Sequence, residues 1–263
     1  PTPVVTAPAI DDLAQHEAWL ASRYNQPFLV LVQRTLPSLD RYLNGLKGLT
    51  LLAGGPQVDK LSLAVQLGID AIIRHEDAVF CCFTFDQPKQ HVMTRVLCRL
   101  AGSGGLQNGY ATNYRDRLAA ARERLTQLGS RFVIIDRDEC PTTTAEALAQ
   151  HVEAAERTSG ARRSIVVVDD SSCMALNRDS LDHPHWNSTS DDWAVDQLRR
   201  LRDSGNDRTV LGLCDAETVS MTTSDPTSWI SSNRGRYAAD AALLLRPFNS
   251  VEIRAYFSRL LFT

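Results

Sequence analysis

Five short apolar runs, alternating with segments of helical spacing, constrain this chain more than any other feature. They are LTLLAG (49–54), AVFCCFTF (78–85), RFVIID (131–136), SIVVVDD (164–170) and TVLGLCD (209–215). A run that is apolar at successive positions has no wet face, so each is predicted to be a strand covered on both sides. Between the runs, residues 60–74, 90–102, 114–129, 143–160 and 190–205 carry apolar residues at helical spacing. This alternation predicts an α/β fold with a mostly parallel sheet flanked by helices. AALLLRPF (241–248) and VEIRAYFSRLLF (251–262) predict a closing hairpin, hence an antiparallel edge. Within 60–74 the expected inward positions include Leu63, Leu67 and Ile73. A capping box from Thr143 to Glu146 is expected to start the 143–160 helix. Upstream, 11–24 and 37–46 read as helices, the second stopped at Asn44-Gly45. The organisation expected is a leader with a helical arm over 1–33 and one α/β domain over 34–263.

Composition narrows the function classes. The net charge is −3, so there is no overall basic excess of the kind that marks many nucleic-acid binders. The six cysteines form no C-x-x-C pair, which removes the usual zinc pattern and suits a reducing, cytoplasmic setting. No apolar stretch approaches the length of a membrane span. The opening PTPVVTAP lacks the basic start and apolar core of a secretory signal and reads as a loose leader.

LLAGGPQVDKLSLAVQ (51–66) lies between the first strand and its helix, where a phosphate-binding loop of pattern G-x-x-x-x-G-K-[ST] would sit. Gly54 opens the pattern and Lys60 holds the lysine position. Asp59 replaces the second glycine, and Leu61 replaces the hydroxyl that would hold magnesium. Ser62 is one residue late, which on a helix turns its side chain by about 100°. A carboxylate at ~4 Å from a phosphate costs about 4 kcal/mol at an effective dielectric near 20. Asp59 is also a good N-cap, able to take the helix amides that a phosphate would otherwise bind. A shifted register that still binds nucleotide is the other reading of the loop.

Four segments in order resemble the RecA-like motor domain of DnaB-type replicative hexameric helicases. RTLPSLDRYLNGLKGLTLLAGGPQVDK resembles their leading T-G-x-x-x-L-D-x-x-x-G-G-L run into the phosphate loop. AVFCCFTFDQPKQHVMTRVLCRLAG resembles the strand and helix around their F-S-L-E-M-S motif, and SIVVVDD their Walker B strand. SNRGRYAADAALLLRPFNSVEIRAYFSR resembles their late D-A-D-V-V strand and K-x-R hairpin. KaiC-type ATPases share much of this pattern. The resemblance implies a RecA-like P-loop NTPase core, with ATP and magnesium as cofactors and a homo-oligomeric ring. It places Gly54, Gly55, Pro56, Asp59, Lys60, Leu61 and Ser62 at the nucleotide and Asp169 at the metal. Asp86 takes the slot of a catalytic glutamate, and Arg259 that of an arginine finger acting on the neighbouring subunit. Plainer readings stay open: Asp86 as a turn-capping acid, Asp169 as a solvated strand end, Arg259 as an edge-strand arginine. Asp215 stands where these motors carry a glutamine facing the γ-phosphate, and Phe257 where they carry the lysine of K-x-R.

The helicases hold single-stranded DNA on the loops that correspond to 171–189 and 216–236. Here those loops offer Arg178, Arg234 and Arg236 against Asp179, Asp182, Glu217 and Asp225, not the basic groove that backbone binding requires. Trp186, Trp193 and Trp229 are candidates for base stacking or for packing the loops down. His183 and His185 form an H-x-H without an evident third metal ligand. The favoured function is therefore a weak or inactive ATPase with the helicase fold, serving as an oligomeric scaffold or regulatory subunit. The alternatives are an active DNA motor and a KaiC-like signalling ATPase that engages a protein partner through 171–236.

Overall fold

A computed structural model describes residues 45–55, 58–101, 114–174, 190–205, 207–215 and 239–246, and the backbone of 252–256. The strands are β1 (Leu49–Gly54), β2 (Ala78–Thr84), β3 (Phe132–Asp136), β4 (Arg163–Asp169), β5 (Arg208–Asp215), β6 (Ala241–Arg246) and β7 (Glu252–Tyr256). The helices are α1 (Lys60–Arg74), α2 (Lys89–Ala101), α3 (Tyr114–Leu128), α4 (Ala145–Ser159) and α5 (Ser190–Asp203). The sheet runs β3-β2-β4-β5-β1-β6-β7. All neighbours pair in parallel except β6 and β7, which form the expected antiparallel edge.

Successive side chains along a strand point to opposite faces. That alternation sorts the apolar runs into two cores. Leu52, Phe80, Cys82, Ile165, Val167, Leu211 and Leu213 face α1, α2 and α3. Leu51, Val79, Cys81, Phe83, Val166, Val168 and Val210 face α4 and α5. Both faces are thus dry, which is why the runs show no polar alternation. Burial in apolar surroundings pushes the Cys81 thiol up to about 12 and the Cys82 thiol higher still. All six cysteines are free.

Two local expectations need correction. Ile73 is 51% exposed, because the buried stripe of α1 runs through Leu61, Ala64, Val65, Gly68, Ile69 and Ile72. Ile73 lies ~100° beyond Ile72 on the helix and so faces outward. The cap of α4 is Thr144, whose Oγ1 accepts from Ala147 N at 3.4 Å, and not Thr143. Thr143 is buried and donates instead to Cys173 O at 3.2 Å. The predicted helix over 11–24 and residues 37–44 of the one over 37–46 lie outside the described residues, while Gly45 and Leu46 at its end are not helical.

Gly68 lets α1 lie close against the sheet. A Cβ built there would stand 2.0 Å from Cε2 of Phe80, a ring that is fully buried and stacked on Phe132. Overpacking a dry core costs ~1–3 kcal/mol, while alanine gains about 1 kcal/mol over glycine inside a helix. With a clash this close to an immobile ring, Gly68→Ala is expected to destabilise by a net ~1–2 kcal/mol. Thermal melting is the check, and an unchanged or raised midpoint would contradict the packing argument.

Candidate functional site

The carboxyl ends of β1, β2, β4 and β5 meet at one edge of the sheet. Register places Gly54 opposite Asp215 and Thr84 opposite Asp169. In open α/β sheets this edge is where ligands bind. Here it holds a cleft of about 410 Å³ lined by Val58, Asp59, Lys60, Leu61, Asp86, Gln87, Arg95, Asp169, Asp170 and Asp215.

Asp59 is the N-cap of α1. Its Oδ1 accepts from Ser62 N at 3.1 Å, and its Oδ2 accepts from the Ser62 hydroxyl at 2.5 Å. The exposed amides at a helix start are the groups that bind a phosphate, and the Asp59 carboxylate already takes one of them. Arg95 reaches across from α2, its Nε donating to Asp59 Oδ1 at 3.3 Å. Lys60 Nζ donates to Gly54 O at 3.0 Å and to Asp215 Oδ1 at 2.6 Å. Close approach at Gly54 helps shape this corner, since a Cβ there would meet Leu245 Cβ at 3.3 Å and Lys60 Cγ at 3.4 Å. Leu61 is only 3% exposed and belongs to the core under α1, so its position supplies no polar group.

Asp169 ends β4 and is 7% exposed, so the plain reading of a solvated strand end does not hold. Its Oδ2 is buried without a hydrogen-bond partner. Burial, with the Asp170 and Asp86 carboxylates adding to it, raises its pKa to about 6 against the pull of Lys60 and Arg95. Asp170 is tied locally, accepting from Ser172 N at 2.9 Å and from the Ser172 hydroxyl at 2.7 Å. Asp86 follows β2 on the exposed side of the cleft. The lining thus sets five carboxylates, Asp59, Asp86, Asp169, Asp170 and Asp215, against the cations Lys60 and Arg95. Among the described residues no group of three or more His, Cys, Asp or Glu is placed to hold a metal ion.

Of the sequence-predicted residues, Asp59, Lys60, Leu61, Asp86 and Asp169 share this cleft, with Gly54 against Lys60. Gly55 is buried beside it, its carbonyl accepting from Val58 N at 3.0 Å. Ser62 contributes only through its bonds to Asp59. Pro56, Arg259, Phe257, His183, His185, Trp186, Trp229 and most of the two candidate DNA loops lie outside the described residues. Trp193 is buried, with its indole N–H donating to Met174 O at 3.0 Å, so it packs and does not stack on bases. Sequence reasoning missed Arg95 and Asp170. Arg95 lies in the segment that resembles the helix after the F-S-L-E-M-S motif, but only Asp86 stands out there, and the packing of α2 beside α1 is what brings Arg95 to Asp59.

The parallel sheet flanked by helices, with Lys60 at the start of the helix after β1 and Asp169 at the end of β4 lining one cleft, has the architecture of a RecA-like α/β fold. No family model and no curated protein matches the chain. Solved structures do match. One, a separately solved ATPase domain, aligns with a TM-score of 0.66 at 16% identity, covering 90% of this chain and 83% of that one. The structure of a DnaB-like replicative helicase studied with primase aligns with the same score and identity, covering 90% of this chain and 56% of that chain. This protein therefore has the fold of DnaB-like helicase ATPase domains. Among the described residues, no helix is long and apolar enough to cross a membrane.

Proposed function

We propose that this chain is a RecA-fold subunit with weak or absent ATP hydrolysis, acting as an oligomeric scaffold or regulatory member of a helicase-like assembly in the cytoplasm. One observation carries the reading: Asp59 caps the start of α1 where phosphate oxygens would bind, while Lys60 is drawn to Asp215. The residues present do not fit magnesium triphosphate in the usual way. The position that should hold magnesium is the buried Leu61, and the nearest hydroxyl, on Ser62, already donates to Asp59. Net negative charge in the cleft opposes a polyanion as well. Oligomerisation and the trans-acting role of Arg259 come into the proposal from the fold resemblance, while a protein partner through 171–236 belongs to the alternative of a KaiC-like signalling ATPase.

A second reading has its own support. Lys60, Asp86 and Asp169 converge on one cleft, as an active DNA motor requires, with Asp86 orienting water and Asp169 linked to magnesium. A coupled ATPase assay with and without single-stranded DNA separates the two. The scaffold reading expects turnover below about 0.1 s⁻¹, against the ~1–10³ s⁻¹ of ordinary enzymes, with no stimulation by DNA. DNA-stimulated turnover above that level would establish the motor.

A further inference from the structure

The charges that line the cleft do not cancel evenly. Asp59 is paired with Arg95, and Asp215 with Lys60. Those pairs use both cations of the lining, while Asp86, Asp169 and Asp170 form no ion pair among the described residues. The three acids stand at or just beyond the carboxyl ends of the neighbouring strands β2 and β4. They lie within electrostatic reach of one another, since the Asp86 and Asp170 charges both act on Asp169. Asp169 is 7% exposed, and its Oδ2 has no hydrogen-bond partner. A buried carboxylate oxygen without a donor is costly to keep. We propose that this acidic end of the cleft binds paired ammonium groups on an aliphatic chain. The proposal rests on the reading above, because the two ion pairs that close the cleft to phosphate are also what leave the three acids in excess.

The arrangement of the acids favours an extended organic cation over a single metal ion. Among the described residues no three of them converge as metal ligands, and magnesium in particular demands near-octahedral oxygens at short range. An ammonium group carries three donors and no acceptor, so it bonds a carboxylate without such convergence. Two ammonium groups on one chain meet acids that stand apart. The cleft, at about 410 Å³, is of a size that suits a small molecule. Val58 and Leu61 give its lining an apolar part for an aliphatic stem. A cleft walled by one sign of charge also concentrates ions of the other sign. The ammonium pair is carried either by a free diamine or by adjacent lysines of a partner chain, and the experiment separates these two sources.

Calorimetric titration of the full chain with putrescine, in buffer free of magnesium and of amines, tests this. Saturable one-to-one binding is expected. Asp86→Asn and Asp170→Asn are each expected to weaken it about fivefold. Asp86 is exposed, and an asparagine amide oxygen at position 170 still accepts the Ser172 bonds, so both chains keep the fold. Melting curves confirm this before binding is compared. Butylamine, with one ammonium group, is expected to bind about tenfold more weakly than putrescine. Asp138→Asn removes an exposed acid from the loop after β3, outside the cleft, and is expected to change nothing. Heat without saturation, or an equal loss in Asp138→Asn, would mean diffuse charge attraction and overturns the proposal. So does magnesium chloride that binds as tightly as putrescine with the same losses. An acetylated Lys-Lys amide run alongside identifies the source: binding tighter than that of putrescine assigns the ammonium pair to a partner chain, and weaker binding to a free diamine. Tight binding of magnesium ATP would refute the parent reading alone, because the putrescine titration contains no nucleotide and reads the three acids directly.

Discussion

Replacing Asp59 with glycine and Asp215 with glutamine in one chain is expected to raise the affinity for magnesium ATP roughly a hundredfold. Each acid places a full negative charge beside the position of a phosphate. A pair of like charges at ~4 Å costs from about 1 kcal/mol in bulk water to about 4 kcal/mol at an effective dielectric of 20. The side chains of Asp59 and Asp215 are 55% and 66% exposed, so the lower part of that range applies. Taking ~1–2 kcal/mol from each gives a combined ~3 kcal/mol, or two powers of ten in affinity. Glycine for an N-cap acid costs only a few tenths of a kcal/mol, so the double variant stays folded. The Asp215 change also releases Lys60 from its 2.6 Å ion pair. Turnover is not expected to follow, because Leu61 still offers no hydroxyl. Calorimetry on the single and double variants is the check. If affinity moves less than threefold in the double variant, the electrostatic account of this cleft is wrong.

The sheet was the most legible part of the chain, for a simple reason. A strand buried on both faces writes its whole length in apolar residues, and β1, β2, β4 and β5 each fall within a residue or two of their predicted limits. The edge hairpin could be read because β6 and β7 are separated by a short break. Phase within a helix was harder. Ile73 carries the same apolar signal as Ile72 but is exposed, while Leu63 is partly buried against the core as expected; Gly68 against Phe80 marks the face that turns inward. Capping failed at Thr143 because three consecutive threonines, Thr142 to Thr144, are candidates, and a tertiary acceptor, Cys173 O, takes Thr143 and leaves the cap to Thr144. At the site, positions next to a recognisable loop were found, while Arg95 was not. Its partner Asp59 lies 36 residues away, and nothing local in α2 announces that meeting. Asp169 reads as the acid at the metal, with a solvated strand end as the plainer alternative, and its burial becomes visible only once the neighbouring elements close over it.

Asp169→Asn is expected to stabilise the protein at neutral pH and to leave it almost unchanged near pH 4. The folded pKa of Asp169 is about 6, raised from an ordinary 3.8 by burial and by the Asp170 and Asp86 carboxylates, with Lys60 and Arg95 opposing. Below about pH 4 the group is protonated in both states and contributes nothing to the difference. Between about pH 4 and pH 6 the unfolded chain gives up its proton while the folded chain keeps it, so stability falls as pH rises. Each pH unit in that window is worth about 1.4 kcal/mol, giving a loss on the order of 3 kcal/mol by pH 7. Asparagine never ionises and escapes that loss, although its amide is left poorly bonded beside a buried site. A net gain of ~1–2 kcal/mol at pH 7.5 is therefore expected, in metal-free buffer, by urea unfolding. The diagnostic feature is the shape: the difference between variant and unmodified chain should open between pH 4 and pH 6 and stay level above pH 7. A constant offset at every pH would mean that the carboxyl titrates alike in the folded and unfolded chains and that its burial shifts no proton. The same variant therefore measures the stability cost of burying the Asp169 carboxyl in the cleft.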